Sequence, residues 1–464
     1  MSGGRRREPS AAVFVAALVF LTTLGGFAVG LASGIRENRL HDIALGIARA
    51  GKEAYEDTRN LLDGNPPRHF LQPARKPGEG VTVNRAGEDR RLVLLAGFFD
   101  GENGLRLIRR DGTLVASWRT PYSAAFPDTG FLGPHAPRSD RNVDLHGALI
   151  TPEGAVVFNF EYAGTVRLSR CGAIDWTLAH QTHHSVEPAE AGGYWIAGRR
   201  HFIADPADPM RHFPPFTRLR NAGPFSDDLI LRVDDGGRIT AGTSLMRLFY
   251  DNGLAPVLTA TGESFRRGSR WGTETLHLNK ITELPAAIAP AFPMFEAGDL
   301  MVSLREYNLI AVIDPDDWRV KWHQTGPWQR QHDPEFLPDG RIAVFDNGIY
   351  RNSLTRGAPI SPEDAVASRI LTIDPADRST RTLYGGRPDQ PLLSVIRGKI
   401  DPTAAGGFLI TEFEGGRAVE VDAQGEVIWE YINRHDAGRV AEITEARAYD
   451  EDYFTVTDWT CPAG

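Results

Sequence analysis

Sulfur and positive charge are both scarce in this chain. Two cysteines, Cys171 and Cys461, stand among 464 residues, with no spacing that suits a metal. In an oxidising compartment the two could pair; two inert buried thiols are the other reading. Lys and Arg total 51 against 60 Asp and Glu, a net charge of −9, which gives no electrostatic case for nucleic acid. Any anion site must then be a local device. Phosphate-cradling glycine loops of the Walker or dinucleotide type are absent, so no nucleotide-carried group donor, and no cofactor, is expected. No second long apolar run follows the N-terminal one, and from Arg91 onward no convincing long helical pattern occurs.

What is present begins with Arg5, Arg6 and Arg7, followed by the uncharged stretch Ala11–Ser33. That stretch is as long as the ~20 residues of a membrane-spanning helix, and the arginines would hold residues 1–10 in the cytoplasm as a tail. A cleaved signal peptide is the alternative, though its apolar region is usually ~7–15 residues. The expectation is an uncleaved transmembrane anchor over 11–33, with everything after it on the extracytoplasmic, periplasmic side. Ile35–Asp63 carries helical spacing and reads as a short juxtamembrane helix. Pro66–Gly80 reads as a Pro/Gly-rich linker, which puts helix and linker at 34–86 and the globular part at 87–464.

That globular part is too long for a single ordinary core of ~250–300 residues and is rich in Gly (48) and Pro (31). Short β runs alternate with Asp-Gly, Glu-Gly and Gly-Gly turns, in repeats spanning Asp144–Leu178, His183–Leu245, Thr275–Gln324, Gln331–Tyr384 and Arg397–Asn433. The N-terminal RLVLLAGFFDGENGLRLIRRDGTLVASW supplies three outer strands and the C-terminal ITEARAYDEDYFTVTDW an inner one. Joined, they make a sixth blade. The fold expected is an all-β, six-bladed β-propeller closed by pairing its two ends, which removes open edges. A solenoid would need end caps that cannot be found. Two Pro-rich insertions, at 201–228 and 347–367, are expected as loops over one face.

His146, His184, His277, His332 and Lys399 each stand eight residues before the turn that follows an inner strand. In a ring, that shared offset aims them at one point. A second register, seven residues after a turn glycine, holds Arg199, Arg305 and Glu161. Imidazoles with guanidiniums suit an oxyanion, and Asn279, two beyond His277, could donate its amide to developing charge. His183 should face the other way and be structural. Any one such histidine is more often a satisfied structural group; five basic residues at one register are harder to ascribe to chance. A histidine-bound metal is the sharpest rival. Without a paired carboxylate shell, and with Arg and Lys nearby to repel a cation, no metal is expected.

These motifs, QHDPEFLPDGRIAVFDNG, HLN at His277–Asn279, the SLR ending at Arg305 and HHS at His183–Ser185, resemble the bacterial aryl sulfotransferase family over roughly Asp144–Asn433. The resemblance implies an exported six-bladed propeller that moves a sulfuryl group from a phenolic sulfate ester to another phenol through a covalent sulfohistidine. It implies His332 as nucleophile, His277 and Arg305 as holders of the sulfuryl oxygens, His184 as the remaining active-site histidine and Asn279 as the neighbouring amide. His146, Lys399 and Arg199 have no counterpart and are assigned to substrate binding from register alone. The enterobacterial type carries a β-sandwich ahead of its propeller, where this chain has a helix. The alternative is a membrane-tethered propeller that binds an anionic ligand or a protein partner and catalyses nothing.

Overall fold

The structure, a computed structural model, describes residues 11–36, isolated positions up to 69, and then 70–202, 225–259, 276–348 and 367–461 apart from a few single residues. The chain divides into two units, Met1–Arg68 and His69–Gly464.

In the first unit the uncharged run folds as a helix, Ala11–Arg36. Thr22 and Thr23 turn their hydroxyls onto the carbonyls of Leu18 and Val19, and Gly25, Gly26 and Gly30 add no apolar surface. Among the described residues no helix is long and apolar enough to cross a membrane, so the expected anchor is not supported. Residues 1–10 and nearly all of Ile35–Asp63 lie outside the described residues.

The second unit is a six-bladed ring of antiparallel sheets. Its innermost strands are Leu145–Ile150, Gln181–Pro188, Leu278–Glu283, His332–Phe336, Lys399–Pro402 and Ile443–Tyr449, which we number as blades 1 to 6. Each contacts the next, and the sixth contacts the first. Period-two alternation builds the core between blades rather than within them. In blade 6, Leu92, Leu94 and Ala96 pack on blade 1 through Leu145, Ala148 and Ile150, while Val93 and Leu95 pack on blade 5 through Leu409 and Trp429. Blade 6 is the joint of the chain's two ends: Ile443–Tyr449 pairs with Leu92–Phe99, as the sequence implied. Beyond it, Cys461 is disulfide-bonded to Cys171 of blade 1, with a Cα–Cα separation of 5.5 Å. The two inert thiols of the alternative reading are thereby excluded.

One expectation is corrected. The stretch read as linker is part of the ring, with Leu71–Pro73 pairing with Arg439–Ala441 and Gly80–Asn84 forming a fifth strand on blade 5. The alternation of Val81 and Val83 was hidden among Gly and Pro, and Thr82 is fastened at 2.6 Å to Glu430. Of the insertions expected as loops at 201–228 and 347–367, residues 203–224 and 349–366 lie outside the described residues, while 201–202 and 225–228 belong to paired strands instead.

Where adjacent inner strands do not pair, polar side chains staple them. Glu445 accepts from Ala148 N, Ser185 from Ile281 N, Asp333 from Ile400 N and Asp401 from Ala448 N; Asn279 donates to Gln331 O. A buried unpaired N–H would cost ~1–3 kcal/mol, which is why the ring's axis is polar rather than oily.

Candidate active site

The four inner strands headed by histidines are irregular near their starts. Bulges interrupt the pairing at His146/Ala148, His183/Val186, Leu278/Lys280 and His332/Glu335. A bulge inserts one unpaired residue and re-aims the side chains around it. Three of the residues here, His184 (φ 55), His277 (φ 58) and Asp333 (φ 51), sit in the left-handed region, which for a residue with a Cβ costs on the order of 1 kcal/mol or more. Such conformations persist only where surroundings impose them.

The outcome is a cluster of four buried imidazoles. The His184 ring lies 4.3 Å from His146, 4.8 Å from His277 and 6.1 Å from His332, centroid to centroid. His184 Nε2 and His277 Nε2 are 3.2 Å apart and share a hydrogen bond. On its other side, His184 Nδ1 meets His183 Nδ1 at 2.9 Å, and His183 Nε2 reaches Gly198 O at 3.2 Å. His183 therefore does not face away from His184 as expected: the bulge after it and the left-handed His184 bring the two rings together, and His183 backs the cluster. His146 Nδ1 is bound at 2.7 Å to Glu161 Oε2, and that carboxylate also lies 3.5 Å from His184 Nδ1.

His332 has the most defined surroundings. Its Nδ1 stands 2.7 Å from Asn347 Oδ1 and 3.0 Å from Arg330 O. Asn347 cannot swap its amide ends, because its Nδ2 donates to Ser394 O at 2.7 Å and Arg397 O at 2.9 Å. Two acceptors at Nδ1 mean that Nδ1 carries the proton and donates. The lone pair is therefore on Nε2, which is buried and has no hydrogen-bond partner. Burial first, and then the positive charge of Arg305, push the His332 pKa well below the ordinary histidine value, so the ring is neutral. Burial and the surrounding imidazoles do the same to His184. His146 is lowered to about 4, burial outweighing the opposing pull of Glu161. For Glu161, burial acts upward, but His146 and Arg397 overcome it and hold the carboxyl ionised.

Arg305 opens a short 3-10 turn, and its N–H donates to His277 O at 3.1 Å, which fixes its backbone beside the cluster. Its guanidinium is bound to Glu306 Oε1 at 2.8 Å. The other expected residues fall elsewhere. Lys399 does not enter the imidazole cluster: its Nζ is 2.8 Å from Glu445 Oε2, because Arg397 and Gly398, both left-handed, turn the chain before it. Arg199 lies at the periphery, 3.6 Å from Asp228 and stacked 3.9 Å over the Tyr162 ring, which in turn is 6.2 Å from His184. Asn279 uses its amide N–H on Gln331 O at 2.7 Å, so it positions the residue before His332. Asn347, at the end of the same QHD phrase, was not foreseen; an amide one residue past a strand end was the only available signal.

The arylsulfotransferase (ASST) family matches residues 148–434 of the chain. The chain belongs to that family. ASST membership makes it a sulfotransferase-type enzyme acting on small phenolic substrates, in keeping with a neutral, lone-pair-bearing imidazole beside a guanidinium. No curated protein matches the chain in sequence. Among solved structures, a Bacteroides caccae protein of unknown function aligns at 14% identity with TM-score 0.46, covering 78% of this chain and 100% of that one. Virginiamycin B lyase from Staphylococcus aureus aligns at 12% with TM-score 0.39, covering 78% and 91%.

Proposed function

We propose that this enzyme transfers a sulfuryl group from a phenolic sulfate ester to a phenol in two in-line steps through His332. The observation that carries this reading is the locked tautomer: Asn347 Oδ1 and Arg330 O hold the proton at Nδ1, leaving a buried, unpartnered Nε2. In the first step the Nε2 lone pair forms a bond to sulfur as the sulfur–oxygen bond to the phenol breaks, and the phenolate leaves with that electron pair. In the second, an acceptor phenol attacks sulfur and releases His332. Charge spread over three sulfuryl oxygens needs donors rather than covalent help, and Arg305 and His277 fill that role. His184, neutral and 3.2 Å from His277, is the group that accepts the acceptor phenol's proton in the second step and passes it on to the departed phenolate or to water. The Cys171–Cys461 bond supports an extracytoplasmic place of work, since such bonds persist where the compartment is oxidising.

Incubation with 4-nitrophenyl sulfate alone should release one equivalent of nitrophenolate per enzyme, and continued release should require a second phenol. Intact mass after donor alone should rise by one sulfuryl group. No release with a broad acceptor panel, together with no mass gain, would overturn the reading and favour a propeller that only binds.

A further inference from the structure

His184, His277 and His332 each bring a ring nitrogen within 4.8 Å of the other two, and all three are buried. Four-coordinate zinc holds imidazole nitrogens at about 2.0–2.1 Å, which sets neighbouring ligand atoms roughly 3.3 Å apart. The two Nε2 atoms of His184 and His277, at 3.2 Å, already form such an edge. His332 Nε2, buried without a partner, is the third corner and has at most roughly 1.5 Å to close.

The groups behind these rings are those a metal site requires. Histidines that ligate metals donate their other N–H to a carbonyl or carboxylate, which fixes the tautomer and raises basicity. His332 Nδ1 does so to Asn347 Oδ1; His184 Nδ1 meets His183 Nδ1 at 2.9 Å, with the Glu161 carboxylate 3.5 Å from the same atom. The repulsion expected from neighbouring cations is answered by carboxylates: Glu306 holds Arg305 at 2.8 Å and Glu445 holds Lys399 at 2.8 Å. A set of imidazoles without a carboxylate in the first shell selects transition ions and disfavours magnesium or calcium.

We propose that His184, His277 and His332 form a binding site for a divalent transition ion of the zinc class, and that the ion blocks sulfuryl transfer by occupying the His332 Nε2 lone pair. Binding stands on the geometry alone; its effect on turnover rests on the sulfuryl-transfer reading. Coordination and sulfation use the same electron pair, so a ring bonded to a metal cannot attack sulfur. Nothing is oxidised or reduced, and chelation restores the free ring.

The full chain, stripped with chelator, is titrated with Co2+ as the spectroscopic probe. Visible ligand-field absorption saturating at one Co2+ per chain, and displaced by Zn2+, is the expected result. His277→Gln should abolish it. Glu161→Gln, which leaves all three ligands in place, should weaken it roughly 10–100-fold. Near-UV circular dichroism of each variant verifies that the ring is folded. No absorption at saturating Co2+, or absorption unchanged in His277→Gln, overturns the site. In parallel, Zn2+ should suppress nitrophenolate release and chelator should restore it; binding that leaves turnover untouched overturns the blockade. A chelated protein that is inert yet binds Co2+ would sink the transfer reading and leave the metal site standing.

Discussion

Two layers of the central channel, built from the same six strands, handle polarity in opposite ways. At the strand starts stand four buried imidazoles, three of them held neutral, and the unpartnered His332 Nε2. A few residues further along the same strands, charge fills the axis. Lys280 Nζ is bound to Glu187 at 2.8 Å, to Asp333 at 3.0 Å and to Glu335; Arg447 grips Glu187 through two bonds of 2.6 and 2.9 Å. His332 and Asp333 are neighbours, as near as two residues can be, yet one belongs to each layer because Asp333, left-handed in the bulge after His332, is re-aimed along the channel. The lesson is a division of labour: where opposite charges are paired the layer holds the ring together, and where a nucleophilic atom is left without a partner the layer can react.

The sharpest way to break this comparison is His332→Ala. It removes the atom that carries the sulfuryl group, so turnover and the mass gain after donor addition should both vanish. Persistence of both would move the nucleophile to another imidazole.

The charged layer should respond the other way. Lys280→Ala leaves Glu187, Asp333 and Glu335 facing one another without their common cation, and removing one partner of a buried ion pair costs about 3–5 kcal/mol. Denaturant unfolding should register that loss, while protein that stays folded keeps its kcat. A variant of full stability and no activity would erase the division.

Arg305→Ala spares the nucleophile and should lower kcat by ~10²–10³-fold, as for one lost oxyanion donor. Lys399→Ala, though drawn from the same motif register, should leave kcat close to wild type, since Lys399 faces Glu445. Asn347→Ala frees the Nδ1 proton to move and should cost ~10–100-fold in kcat with little change in KM. An equal loss in a variant that keeps an acceptor there, Asn347→Asp, would show that orientation of the ring is not what Asn347 contributes.

The smallest expected effect is one of slope. Burial raises the Asp401 carboxyl to about 7, so the folded ring keeps a proton that the unfolded chain releases above the ordinary aspartate value of 3.8. Stability therefore falls as pH climbs from that value toward about 7. Asp401→Asn cannot ionise and should flatten the curve in that window by about 1–2 kcal/mol, since the side chain is partly exposed. A variant curve parallel to wild type would deny the shifted proton.

Much of the ring was legible because turns and alternation are local signals. The five repeats, and the split sixth blade with RLVLLAGFF at one end and ITEARAY at the other, follow from spacing alone. Convergence of His146, His184, His277 and His332 followed too, since rings turn a shared offset into a shared place. What stayed hidden depends on partners distant in sequence. Asn347 is made rigid by carbonyls at Ser394 and Arg397, and Lys399 is drawn off by Glu445 across a blade boundary. The strands at Leu71 and Gly80 are defined only by the edges they join. The apolar run at Ala11–Ser33 misled for another reason: length was weighed ahead of its Thr and Gly content.

The joint in blade 6 has a consequence for the order of events during synthesis. A chain leaving the ribosome has presented all four imidazoles long before Ile443–Tyr449 emerges to pair with Leu92–Phe99. Until then blade 6 lacks its inner strand, Lys399 lacks Glu445, and the channel lies open to water along that strand's place. The last strand made is thus also the latch of the pocket, and partly made chains carry the reactive histidines without the enclosure that makes them reactive.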